Sequence, residues 1–233
     1  MCVEKKSLRY NSFLIMTNNF SPSSFFSLVE YTHGELFDVA HVWEALAHLS
    51  SYLEKQQLGN IQVKIPDGVH LACRDKISIG KGTVIEPGAY ISGPCLIGEN
   101  CIIRQGAYIR GDVVTGDGCV IGHATEIKHS ILLNKASAAH FNYVGDSILG
   151  NGVNLGAGVK LANYKLDHKE VYIFFKGEKI ATKLKKFGAI LGDGVQLGCN
   201  AVTSPGTLMG KESLCYPCVY VKGIIPAKTV IKD

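Results

Sequence analysis

Isoleucine recurs every sixth residue at Ile79, Ile85, Ile91, Ile97, Ile103 and Ile109, and the frame runs on through Thr115, Ile121, Ile127, Leu133 and Ala139. Nine of these eleven positions are Ile or Leu, which fixes six as the period of burial. That period fits neither the helical repeat of 3.6 nor the two-residue alternation of a lone strand; it accommodates one short strand and one corner per hexad. Four residues after each frame position the side chain is small or modest, as at Thr83, Ala89, Cys95, Cys101, Ala107, Val113, Cys119 and Thr125, so a second inward position is implied. Recurring IGxG, IxPG and LGxG turns supply backbone freedom at the corners. Such a chain coils and stacks its strands in parallel, about 4.8 Å per layer. The frame predicts a parallel β-helix from about Ile65 to Pro226. Its phase slips near His140, resumes at Leu149, Leu155 and Leu161, and resumes again at Leu191, Leu197, Thr203, Met209, Cys215 and Val221.

Two segments stand outside the repeat. Residues 165–187, KLDHKEVYIFFKGEKIATKLKKF, are rich in charge, and their central KGEK predicts a hairpin between EVYIFF and KIATKL in a loop extruded from one corner. Residues 1–60 read as an N-terminal arm ahead of a β-helix domain over 61–233. In the arm Asp38 is placed to cap an amphipathic helix running to about Lys55, with Val39, Val42, Trp43, Leu46, Leu49 and Leu53 on one face. This helix is expected to seal the first coil or to dock on a partner subunit.

Composition narrows the function classes. The 26 glycines and 19% charged residues favour turn-dense β structure over a helical bundle. A net charge of +4 with no dense Lys/Arg tract gives nucleic-acid binding no support and suits a small anionic substrate. The opening MCVEKKSLRYNSFLIMTNNF has no apolar run of signal-peptide length, and no segment approaches the roughly 20 apolar residues that span a bilayer, so a cytoplasmic protein without membrane contact is expected. Cys95, Cys101 and Cys119 sit at inward positions and read as packing groups, while Cys215-x-x-Cys218 lacks the second pair of a zinc site; no metal is expected.

The segment EIKHSILLNKASAAHFNYVGDSILGNGVNLGAGVKLANY carries further motifs: E-x-K at Glu126 to Lys128, A-H-x-x-Y-x-G-D at Ala139 to Asp146, N-x-G-A-G at Asn154 to Gly158, and N-Y at Asn163 and Tyr164. In these motifs and in its repeat the chain resembles the hexapeptide-repeat, left-handed β-helix acyltransferases. The likeness is strongest to the acetyltransferase domain of the bifunctional enzyme that acetylates glucosamine-1-phosphate and then makes UDP-N-acetylglucosamine. The resemblance implies an acetyl-CoA-dependent N-acetyltransferase acting on an amino-sugar phosphate, with His140 as general base and Glu126 orienting it. It also implies that Arg110 and Lys128 bind the phosphate, that Tyr143 and Asn154 hold the sugar, and that Asn163, Tyr164, Lys186 and Cys199 lie near the acetyl donor, with Lys169 competing for the place of Lys186. A homotrimer is implied, its site lying between neighbouring β-helices. Arg110 and Lys128 are eighteen residues apart, so if three hexads make one coil, as the resemblance implies, they lie one above the other, where unpaired like charges favour a bound anion.

The chain departs from this pattern in three places. No counterpart of the nucleotidyltransferase domain is visible, so no nucleotidyl transfer is expected. A cysteine, Cys199, replaces a serine, and the end IIPAKTVIKD lacks the basic tail. Three rival readings stay open: a hexapeptide acyltransferase for another sugar or nucleotide sugar, a non-catalytic trimeric scaffold, and a zinc β-helix enzyme. Spacing speaks against the last, because no histidine stands eighteen or thirty-six residues from His123 or His129.

Overall fold

The computed structural model describes residues 20–233; the segment examined above for an export signal lies almost wholly outside them. The chain forms the parallel β-helix that the six-residue period predicts. Three sheets of eight parallel strands each make a three-sided prism. Face I contains Ile77–Ile79, Cys95–Ile97, Val113–Thr115, Ser130–Leu132, Ile148–Leu149, Ala189–Leu191, Thr207–Met209 and Ile224–Ile225. Face II runs from Val84–Ile85 to Val230–Ile231 and includes Val120–His123 and Ser137–His140. Face III runs from His70–Ala72 to Tyr220–Val221 and includes Tyr108–Ile109, Glu126–Lys128 and Tyr143–Gly145.

The frame isoleucines and their small partners fill the prism: Ile79 to Ile127, Cys95, Cys101 and Cys119 are all buried. The phase slip falls earlier than the sequence suggests. After Ile127 the inward residues are Leu132, Ala138, Val144 and Leu149, so one residue is lost between Ile127 and Leu132 and another between Val144 and Leu149. Leu133, assigned inward by simple counting, points outward and is buried in a second core.

That second core lies on the outside of face I. Its outward residues Val114, Ile131, Ile148, Ile190 and Leu208 are apolar and buried. The arm covers them. The helix expected from Asp38 begins instead at Glu44 and ends at Lys55, because Asp38 closes a short 3-10 turn at Gly34–Phe37 and Val42 and Trp43 are buried before the helix starts. Its face of Ala45, Leu46, Leu49 and Leu53 packs on the outside of face I of its own chain. His129 on the third face's corner fixes it, with Nε2 donating to the Leu46 carbonyl at 3.0 Å.

The loop at 165–187 leaves the prism after Leu161 and forms the expected hairpin, Tyr172–Phe175 against Glu178–Ala181. Lys176 and Gly177 turn it with φ of 49° and 81°, the left-handed pair that a two-residue hairpin requires. The hairpin then folds back: Val171, Ile173 and Phe187 join the outer core, and Phe175 meets Phe20 edge-on at 5.1 Å. Among the described residues no helix is long and apolar enough to cross a membrane.

Candidate functional site

Face III sets the cations where the eighteen-residue spacing requires. Ile109 pairs with Ile127, which places Arg110 opposite Lys128 on successive strands. They are not left unpaired, contrary to expectation. Arg110 Nη1 donates to Glu126 Oε1 at 2.6 Å, and Lys128 Nζ donates to Asp146 Oδ2 at 2.7 Å. The two pairs differ in setting: the Arg110 and Glu126 side chains are 42% and 35% exposed, those of Lys128 and Asp146 16% and 8%. Asp146 also accepts from Asn163 Nδ2, and the Tyr143 hydroxyl donates to Asn163 Oδ1 at 3.5 Å. Burial, reinforced by the charges of Asp146 and Glu126, raises the Tyr143 pKa above its ordinary value and keeps the phenol a donor.

His140 lies at the corner between faces II and III, exposed at the end of its strand. Phe141 follows it with φ of 54°, a left-handed conformation that is costly for a bulky residue. Asn142 pins this corner: its Oδ1 accepts from the His140 backbone N–H at 3.1 Å and its Nδ2 donates to the Gly156 carbonyl at 2.8 Å. His140 Nε2 is 3.5 Å from Arg104 Nη1. A guanidinium can only donate, so this contact requires Nε2 to carry the lone pair. Glu126, expected to orient His140, is instead engaged with Arg110 within the chain.

Register places His140 on His123 of the preceding coil. The argument from histidine spacing therefore fails at its premise, since this coil has seventeen residues rather than eighteen. The coils approach closely here, and a Cβ on Gly122 would overlap the backbone of Ala139. His123 Nδ1 donates to the Gln105 carbonyl at 3.0 Å, leaving Nε2 unprotonated in the neutral ring. Among the described residues no three His, Cys, Asp or Glu side chains gather as a metal site.

The remaining candidates fall on face II and on the two edges of face III. Cys199 is exposed on the His140 corner two coils further on, and Asn154 is exposed on face II between Ser137 and Gln196. Asn163 lies on the opposite edge, beside Asp146, and Tyr164 pairs with Lys186 in an antiparallel bridge at the neck of the hairpin loop. One chain thus brings Arg110, Glu126, Lys128, Tyr143 and Asn163 together and holds His140 and Cys199 along the other edge. Sequence reasoning missed Arg104 and Asp146 as site partners. Asp146 was legible as the end of A-H-x-x-Y-x-G-D; Arg104 had no signal until the register was known.

Fold and motifs together define a hexapeptide-repeat β-helix of the acyltransferase type. The chain belongs to the family described as the GMPPB C-terminal domain, whose model matches residues 91–233. It is 32% identical over 194 residues to the bifunctional sugar-1-phosphate nucleotidylyltransferase/acetyltransferase of Sulfurisphaera tokodaii, covering 82% of this chain and 47% of that one. It is 41% identical over 177 residues to the bifunctional protein GlmU of Methanococcus maripaludis, covering 76% of this chain and 42% of that one. The chain thus spans less than half the length of these bifunctional relatives. The uncharacterized acetyltransferase YaiX of Escherichia coli is 33% identical over 182 residues, with 78% of this chain and 79% of that one covered.

Proposed function

We propose that the protein transfers the acetyl group of acetyl-CoA to the amine of a phosphorylated amino sugar of the glucosamine-1-phosphate kind. The observation that carries this reading is the stacking of Arg110 over Lys128 on face III of a chain whose relatives are named acetyltransferases. A sugar phosphate bound there meets two cations, and Tyr143 and Asn163 offer a hydroxyl and an amide to its ring. Each cation already has a carboxylate, so binding exchanges an internal ion pair for a charge-assisted bond to phosphate.

In this reading His140 accepts the proton of the attacking nitrogen. The nitrogen bonds to the thioester carbonyl carbon, the carbon–sulfur bond breaks, and coenzyme A leaves as a thiolate that takes up the proton from the imidazolium. The first step needs the Nε2 lone pair, so the Arg104 guanidinium, 3.5 Å away, must give it up to the substrate. His140 and the cations lie on opposite edges of face III, so a neighbouring copy would complete each site, and we infer a homotrimer with Asn163, Tyr164, Lys186 and Cys199 toward the donor. Asn154, exposed on face II, would then reach the sugar across that boundary. No metal takes part in this scheme, and the setting is cytoplasmic.

The test is release of free thiol from acetyl-CoA over a panel of glucosamine-1-phosphate, glucosamine-6-phosphate, glucosamine and nucleotide-linked amino sugars. Release that requires a sugar phosphate supports the reading. Release only with a nucleotide-linked sugar moves the assignment to another acyltransferase, and none with any acceptor favours the scaffold, a reading that the internal neutralisation of both cations also suits.

A further inference from the structure

The imidazole of His140 is met by a side chain from two coils earlier. Ile103 pairs with Ile121 and Ile121 with Ala138, so Arg104, Gly122 and Ala139 each open the turn from face II to face III in successive coils. Glycine and alanine at the second and third of these places put no long side chain between Arg104 and the ring. Arg104, thirty-six residues before His140, spans both coils and brings Nη1 to 3.5 Å from Nε2. Among the described residues no carboxylate pairs with Arg104: Glu86, which opens the same turn one coil earlier, accepts instead from the Gln105 backbone N–H at 2.8 Å. Nor does His140 Nδ1 have a hydrogen-bond partner among the described residues. Phe141 lies beside the ring, 6.4 Å between centroids, and stands edge-on to His123 at 5.2 Å.

A neutral imidazole has two tautomers, and in water the one protonated on Nε2 predominates. That form has no lone pair on Nε2 and cannot serve as a base there. The usual device for selecting the other tautomer is an acceptor on Nδ1. His140 has the reverse arrangement, a cationic donor on Nε2. We propose that Arg104 is a positioning residue for His140: in the resting chain its guanidinium holds the ring with the lone pair on Nε2 and the proton on Nδ1. This rests on the reading of His140 as the base. When the amine arrives, Arg104 yields Nε2 to it, and the ring is already in the form that accepts a proton. The role asks no contact of Arg104 with sugar or acetyl donor, so its loss acts on turnover rather than on affinity.

The experiment has two arms, both on the full chain. In the first, histidines are labelled with nitrogen-15 and proton–nitrogen multiple-bond correlations are recorded at about pH 8.5, where imidazoles are neutral. The His140 signals are those that vanish in His140→Gln, and circular dichroism verifies that each variant is folded. We expect Nδ1 protonated and Nε2 bare in the natural chain, a ring largely protonated on Nε2 in Arg104→Ala, and partial return of the first form in Arg104→Lys, which restores a cationic donor. A natural chain with Nε2 protonated, or a tautomer that is the same in Arg104→Ala, overturns the proposal. In the second arm, with acetyl-CoA and glucosamine-1-phosphate, Arg104→Ala should lower kcat roughly three- to tenfold, as the competent fraction of rings falls, and leave KM within about twofold. A loss confined to KM would make Arg104 a substrate-binding residue and overturn the proposal as well. The spectra need no acetyl transfer: a natural chain with the expected tautomer that transfers no acetyl group refutes the proposed reaction, not the hold of Arg104 on the ring.

Discussion

Lys128 and Arg110 occupy equivalent places on successive strands, yet burial gives them different consequences. Removing Lys128 leaves Asp146, 8% exposed, with Asn163 but without its cation, which costs on the order of 1–3 kcal/mol. Removing Arg110 breaks an exposed pair worth at most about 1 kcal/mol. Lys128→Ala is therefore expected to lower the melting temperature by several degrees and Arg110→Ala by less, at most about four. If both bind phosphate, each should also lower kcat/KM for glucosamine-1-phosphate by roughly 10- to 100-fold relative to glucosamine. Thermal unfolding and kinetics on the two sugars check this; equal losses on both sugars would remove the phosphate role. The eighteen-residue spacing was sufficient to find this pair. The same count also places Asp146 eighteen residues after Lys128, and the expectation of unpaired cations failed because it left that carboxylate out.

At the scale of elements, the covering of face I explains what the hexad count could and could not give. Ile127 is followed by both Leu132 and Leu133, and either could turn inward. Choosing between them by hydrophobicity assumes that the outward position is polar, which fails where the arm buries face I and leaves Leu133 as inaccessible as Leu132. The helix start was misplaced for a related reason. Val39, Val42 and Trp43 fit helical spacing, but the backbone reaches the outer core through turns, and the Glu44 carboxylate accepts from the His41 N–H at 3.0 Å where the helix begins. The hairpin was legible because KGEK supplies both the charge and the glycine of the turn.

Docking of the helix is itself testable. Asp112 accepts from Ser50 Oγ of the helix at 3.2 Å and faces His129 at 3.5 Å. The His129 hydrogen bond lowers the Asp112 pKa below the ordinary carboxylate value. A carboxyl with a depressed folded pKa contributes stability above its unfolded pKa, about 3.9, and loses it as pH falls through the folded value. The melting-temperature advantage of the natural chain over Asp112→Asn should thus be full at pH 5 to 6 and shrink below pH 4. An advantage that persists unchanged at pH 2.5 would mean that Asp112 does not hold the helix by its charge.

At the scale of the whole molecule, arm and hairpin close face I within the chain and leave faces II and III outward, with Tyr90, Tyr108 and Tyr220 exposed along face III. The proposed chemistry runs along the two edges of that open face. Sequence motifs proposed residues there; their division between two edges was not legible, because the one-residue shortenings of the coil decide which corner each side chain meets. Central to the account is that His140, exposed and contributing little packing, serves as the base for acetyl transfer. The most direct measurement is turnover of acetyl-CoA and glucosamine-1-phosphate at saturation by His140→Ala, alongside its thermal unfolding. The account expects kcat to fall by about 10²-fold or more with the melting temperature within about 2 °C of the natural chain. An unchanged kcat in a folded His140→Ala protein would contradict it.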